Sequence, residues 1–161
     1  MSERTLILLR HAKSDWSGEE PDIDRPLAKR GRRQAPDTGR WLARSIPGID
    51  LAVVSPAVRT RKTWDLVCRE LGRRPETRFD DRLYAASDQT LLGVVQELPD
   101  RLETVVLVGH SPGLPDLVLL LTGDSVPMPT SAVAVVALPG SWGTTGEARG
   151  ELVASGRPPA P

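Results

Sequence analysis

The chain has two histidines, His11 and His110, and each closes a short apolar run. Thr5-Leu6-Ile7-Leu8-Leu9 stops at Arg10-His11, and Thr104-Val105-Val106-Leu107-Val108 stops at Gly109-His110. A third run, Leu51-Ala52-Val53-Val54, stops at Ser55-Pro56, with Arg59 one helical turn further on. Unbroken apolar runs of this length read as strands buried on both faces, as in a parallel sheet. In an open parallel α/β sheet, ligands sit beyond the carboxyl ends of the strands. If the three strands are neighbours, Arg10, Arg59 and both histidines converge on one rim. Ser55-Pro56 and Ser111-Pro112 read as N-cap and N1 pairs, so two helix N-termini would add partial positive charge there. A compact, doubly charged anion fits such a rim, most simply a phosphoryl group.

The residue types suit transfer of that group. Guanidinium forks hold two phosphoryl oxygens at once and never lose their charge. A neutral imidazole nitrogen can attack phosphorus in line and form a covalent phosphohistidine. A second, protonated histidine can stabilise the equatorial oxygens in the transition state. With arginines supplying the charge, neither metal nor cofactor is required. The bland readings are that each histidine is an ordinary hydrogen-bonded residue, Arg10 a loop residue, and Arg59 a solvated arginine beside Arg61 and Lys62. Against them stands the placement of both histidines directly after buried strands.

The elements that must position these residues alternate along the chain. A polar loop, 14–26, leads into a helical pattern over 27–43 with Leu27, Ala35, Trp41 and Leu42 facing inward and Pro36 expected to kink or split it. A helix from Ser55 to about Leu71 stops at Gly72. Extended chain follows over 76–83, then a helix capped by Asp88 and running through Leu98. After the strand at 104–108, a helix presents Leu114, Leu117, Val118 and Leu121 on one face. A strand over 132–138, a turn region over 139–146 and an edge strand over 149–155 complete the pattern. The expected fold class is α/β: a single-domain, three-layer α/β/α sandwich with a mostly parallel central sheet. Residues 1–156 form the expected domain, and 157–161 an expected disordered tail.

Composition narrows the functional classes. The 161 residues carry 21 Lys+Arg and 21 Asp+Glu, a formal net charge of zero. Balanced charge argues against nucleic acid as a partner bound through bulk charge. The single cysteine, Cys68, excludes an internal disulfide and a CxxC zinc site, and its mid-helix place reads as buried and inert. The apolar stretch at 6–9 is far too short for a signal peptide or a membrane span, so the expectation is a cytoplasmic protein without membrane contact. A monomer suits the size, with a dimer left open. Asp22, Asp24, Asp80 and Asp81 read as loop solubilisers and turn formers rather than a divalent-metal cluster. Trp16, Trp41, Trp64 and Trp142 read as core and packing residues rather than a base-stacking platform.

Several blocks then match a known pattern. Leu8-Leu9-Arg10-His11-Ala12-Lys13-Ser14-Asp15-Trp16 resembles the Arg-His-Gly signature of the histidine phosphatase superfamily, the phosphoglycerate-mutase-like fold. Asp24-Arg25-Pro26-Leu27 with Gly31 and Gln34-Ala35, then Ser55-Pro56-Ala57-Val58-Arg59-Thr60, then Val108-Gly109-His110-Ser111-Pro112-Gly113 resemble its later blocks, in order. Leu83-Tyr84 and Pro129-Thr130-Ser131-Ala132 are similar to the SixA type of the superfamily, the phosphohistidine phosphatases. The resemblance spans roughly residues 5–138. It implies that His11 is the nucleophile, that Arg10, Arg59 and His110 form the phosphate pocket, and that Ser14 neighbours that pocket and binds substrate.

Two departures from the family pattern are informative. Ala12 stands where glycine is usual, which a side chain tolerates only at negative φ. Mutases and many ester phosphatases of the superfamily place a glutamate shortly after an Arg-Leu pair, whereas here Arg82-Leu83 runs into Tyr84-Ala85-Ala86. An alkoxide leaving group needs a proton donor. An imidazole, with a pKa of about 6.5, needs much less help. The expected activity is therefore a cofactor-independent phosphatase acting through a phosphohistidine intermediate. Its expected substrate is a phosphorylated histidine on a signalling protein. A small phosphorylated metabolite, sugar phosphate or nucleotide, and a phospho-binding module without turnover are the alternatives. Asp15, Asp81 and Asp88 stay open as loop-borne proton donors.

Overall fold

The alternating pattern folds, in a computed structural model that describes residues 3–160, into one six-stranded sheet covered on both faces by helices. The strands are β1 (Arg4–Arg10), β2 (Leu51–Val54), β3 (Thr77–Phe79), β4 (Thr104–Gly109), β5 (Val133–Leu138) and β6 (Glu151–Gly156), in the order β3-β2-β4-β1-β5-β6. The pairs from β3 through β1 are parallel, and β5 and β6 add antiparallel strands at one side. The three strands expected to carry the site are thus adjacent, as β2-β4-β1.

Strand geometry decides which helix each side chain meets. Side chains two apart share a face. Leu6 and Leu8 of β1 join a core with Leu91, Val94, Leu114 and Leu117 from helices α3 (Asp88–Gln96) and α4 (Gly113–Thr122). Ile7 and Leu9 join the opposite core with Leu42, Trp64 and Val67 from α1 (Lys29–Ser45) and α2 (Val58–Leu71). The chain leaves β1 toward β2 on one side and leaves β4 toward β5 on the other. A crevice between β1 and β4 at their carboxyl ends is the consequence.

Some local expectations are corrected. Pro36 neither splits nor ends α1, which runs unbroken for 17 residues. Proline removes one N–H donor from the helix, and the buried stripe of Ala35, Thr38, Gly39 and Leu42 keeps the rest of it seated. Leu27 is buried but precedes the helix, and Trp41 is half-buried. The N-caps expected at Ser55 and Ser111 are Ala57 and Pro112, neither with a side-chain cap. α3 is capped by Ser87, whose Oγ accepts from the Thr90 N–H at 3.2 Å, rather than by Asp88. Trp64 and Trp142 are fully buried, but Trp16 is 58% exposed, its face covered by the Arg25 guanidinium at 4.3 Å rather than by a core. Residues 157–160 turn back on the sheet through a Gly156–Pro159 bridge. Cys68 is buried, and burial pushes its thiol up to about 11, so it stays protonated. Among the described residues no helix is long and apolar enough to cross a membrane.

Candidate active site

The parallel ladder continues one residue past the strands. The His11 N–H donates to the Gly109 carbonyl at 3.1 Å, and the Ser55 N–H donates to the Val108 carbonyl at 3.0 Å. These bonds fix the three strand ends side by side. They bring the imidazoles of His11 and His110 to a centroid separation of 5.3 Å, at 56° to one another. Arg10, His11, Ser14, Arg59 and His110, the five residues expected at the site, line one pocket of about 330 Å³. Asp15, Asp81 and Asp88 do not line it.

Each side chain is held from behind. The His11 Nδ1 lies 2.8 Å from its neighbour's carbonyl, Ala12 O. A carbonyl only accepts, so Nδ1 carries the proton and Nε2 keeps its lone pair. Ala12 is fully buried with Leu27, Ala35 and Leu66, and its N–H donates to Thr63 Oγ1 at 2.9 Å. It is not among the positive-φ residues, which explains why a methyl group is accepted where glycine is usual. Arg10 donates from Nη1 to the Met128 carbonyl at 2.9 Å. The segment after Met128 also clasps the backbone of the site, since Ser131 N–H donates to His11 O and Arg10 N–H to Ala132 O. Arg59 sits in the first turn of α2 and is 7% exposed.

Three groups in or behind the pocket were not expected from the sequence as participants. The Ser55 hydroxyl, freed from capping, lies 2.7 Å from His110 Nε2 and holds that ring with its Nδ1 toward Arg59, 3.5 Å from Nη2. Asp22 engages the Arg59 fork twice, through its carbonyl at 2.7 Å and its Oδ2 at 3.0 Å. Tyr84 donates its hydroxyl to the same Oδ2 at 2.5 Å and meets His110 edge-on. Ser55 was legible as a strand-end residue beside His110. Nothing in the spacing of Asp22, which lies 37 residues from Arg59 and 62 from Tyr84, pointed to the pocket.

Burial sets the charge states. It pushes His11 down to about 4, against the upward pull of the Ala12 carbonyl, with Arg59 and Arg10 adding to the depression. His110 is lowered to about 3, by burial first and then by His11 and Arg59. Both rings are therefore neutral in the resting pocket. The Tyr84 hydroxyl, and after it Arg59, hold the Asp22 carboxyl below its usual range, so it is ionised. Arg10, Lys13 and Arg59 face that single carboxylate, leaving the pocket positive although the chain as a whole is neutral. The cleft can receive a tetrahedral dianion and offer it an unprotonated imidazole nitrogen.

The chain is similar to known proteins over most of its length. The family profile described as histidine phosphatase superfamily (branch 1) matches residues 6–86. An uncharacterized protein of Mycobacterium leprae is 33% identical over 160 residues, covering 91% of this chain and 97% of its own. Among solved structures, a protein from Nakamurella multipartitia assigned as phosphohistidine phosphatase SixA superposes with a TM-score of 0.86 at 30% identity, over 97% of this chain and 96% of that one. One from Agrobacterium tumefaciens with the same assignment gives 0.82 at 26% identity, over 98% of each chain.

Proposed function

The chain belongs to the histidine phosphatase superfamily, and from that premise we propose that it removes the phosphoryl group from a phosphohistidine on a protein. In this reading His11 Nε2 attacks phosphorus, Arg10 and Arg59 grip the equatorial oxygens, and Ser14 lines the pocket beside them. His110, anchored through Nε2 on Ser55, takes a proton on Nδ1 when the dianion arrives and donates it to an oxygen. The activity belongs to one domain, residues 1–156, acting as a monomer in the cytoplasm on a histidine-containing signalling domain. Water then releases phosphate from His11. The SixA assignments of the two solved neighbours favour the same substrate class.

The observation that carries the choice of a P–N bond is the state of the pocket's acids. Tyr84-Ala85-Ala86 supplies no carboxyl group, and Asp22 is held ionised by Tyr84 and Arg59. A pocket whose carboxyl group is already ionised offers an alkoxide leaving group no carboxylic proton donor. It serves an imidazole, which leaves near neutrality unaided, well. A panel of a phosphohistidine-bearing protein, sugar phosphates and nucleotides tests this. The expected result is a kcat/KM at least about 10²-fold higher for the phosphohistidine, the scale of one general-acid contribution. A higher kcat/KM for an ester would overturn the substrate class. Absence of turnover on every substrate would leave only phospho-binding.

A further inference from the structure

The second half-reaction needs a group that positions water and accepts its proton, and the residues that serve the first half are occupied. His11 would carry the phosphoryl group on Nε2 and a proton, held by Ala12 O, on Nδ1. His110 is anchored by Ser55 Oγ at 2.7 Å, and its Nδ1, which lies 3.5 Å from Arg59 Nη2, already carries a proton in the phosphoryl-bound state of the proposed reaction and can take no other. Tyr84 spends its proton on Asp22. Asp22 is the one carboxylate among the described residues that lines the pocket. Its two oxygens differ. Oδ2 is pinned by Arg59 and Tyr84, while Oδ1 has no hydrogen bond among the described residues, and the side chain is 44% exposed. One oxygen is thus fixed against the arginine that would grip the phosphoryl group, and the other is open to water.

We propose that Asp22 is a catalytic residue of dephosphorylation: its Oδ1 orients the attacking water and takes up its proton. The role rests on the reading of His11 as nucleophile. The water oxygen bonds to phosphorus, and the P–Nε2 bond breaks with its electron pair returning to the imidazole. One water proton stays on the new phosphate, and the other passes to Asp22, which then releases it to solvent. Little basicity is required, because phosphoryl transfer proceeds through a loose transition state in which the nucleophile loses its proton late. The phosphoryl dianion beside Asp22 also raises the carboxylate's proton affinity at the moment it is needed.

Rapid-quench kinetics with an aryl phosphate test the role in Asp22→Asn, whose side-chain oxygen can still accept from Arg59 and Tyr84. The first turnover should release the aryl alcohol at a rate within about threefold of the unmodified protein. Steady-state turnover should fall about 10²-fold, with acid-labile phosphoprotein accumulating toward one per chain. A first-turnover rate that falls as far as the steady state would show that Asp22 only holds Arg59. Unchanged turnover would also overturn the proposal. A second readout is Tyr84→Phe, which removes the hydrogen bond that favours the ionised carboxylate. The acid limb of the dephosphorylation rate should move to higher pH, and an unmoved limb would contradict the proposal. If the unmodified protein and Asp22→Asn both form no adduct, the nucleophile assignment fails first and takes this role with it.

Discussion

At pH 6.5 an imidazole in water is half protonated, yet His11 and His110 lie buried beside Arg10 and Arg59, where a cation is poorly solvated and repelled. The direction is the same for both, and the lowered values of about 4 and about 3 put them in the neutral form throughout the physiological range. In the proposed reaction His11 would thus attack without prior deprotonation. Nitrogen-15 NMR is simple for a chain with two histidines. At pH 5.5 both rings should be neutral, with the His11 proton on Nδ1 and titration midpoints near pH 4 for His11 and pH 3 for His110. A midpoint near 6.5 for His11 would mean that burial does not control the site. At this scale the sequence showed the histidines and arginines that line the pocket but not their neighbours. His11, His110, Arg10 and Arg59 were legible because each stands at a strand end or in a first helical turn. Asp22 and Tyr84 were not, because a loop residue's partner depends on how the loop folds back across the sheet.

At the scale of elements, the strands were the clearest feature of the chain, since burial on both faces demands uninterrupted Val, Leu and Ile. Their neighbourhood entered only as the condition under which the histidines and arginines converge, and strand order did not follow from the pattern. Helix starts were misjudged at Ser55 and Ser111 because capping residues and pocket residues are chemically alike. The pocket claims the Ser55 hydroxyl for His110 and leaves α2 without a side-chain cap. The loop after β1 is seated on α1 through Gly31. A Cβ built there falls 2.1 Å from the Lys13 carbonyl oxygen, a backbone atom that cannot swing aside. Gly31→Ala should therefore displace the turn that carries Lys13 and Ser14. We expect a loss of about 1–3 kcal/mol in denaturant unfolding, the usual cost of overpacking, together with reduced activity. Wild-type stability and kinetics in that variant would show that the loop is not held by close approach to α1.

For the whole molecule, the topological switch between β1 and β4 places cations from separate segments around one cavity while net charge stays zero. That concentration of charge should be visible as ligand-linked stability. A phosphate-like oxyanion such as vanadate at 100 times its Kd should stabilise the fold by about 2.7 kcal/mol. For a chain of this size that amounts to a Tm rise of roughly 5–10 °C. Arg59→Ala should lose most of the rise, and an equal rise in that variant would place the anion elsewhere.

The covalent intermediate would report the proposed attack by His11 itself. Phosphorus-31 NMR of the trapped, denatured phosphoprotein, with peptide mapping, reports both the residue and the ring nitrogen that carry the group. The expected product is a single phosphoryl group on Nε2 of His11, the nitrogen left free when Nδ1 is held by the Ala12 carbonyl. A phosphoryl group on Nδ1, on His110, or on a hydroxyl of Ser14 or Ser55 would contradict it.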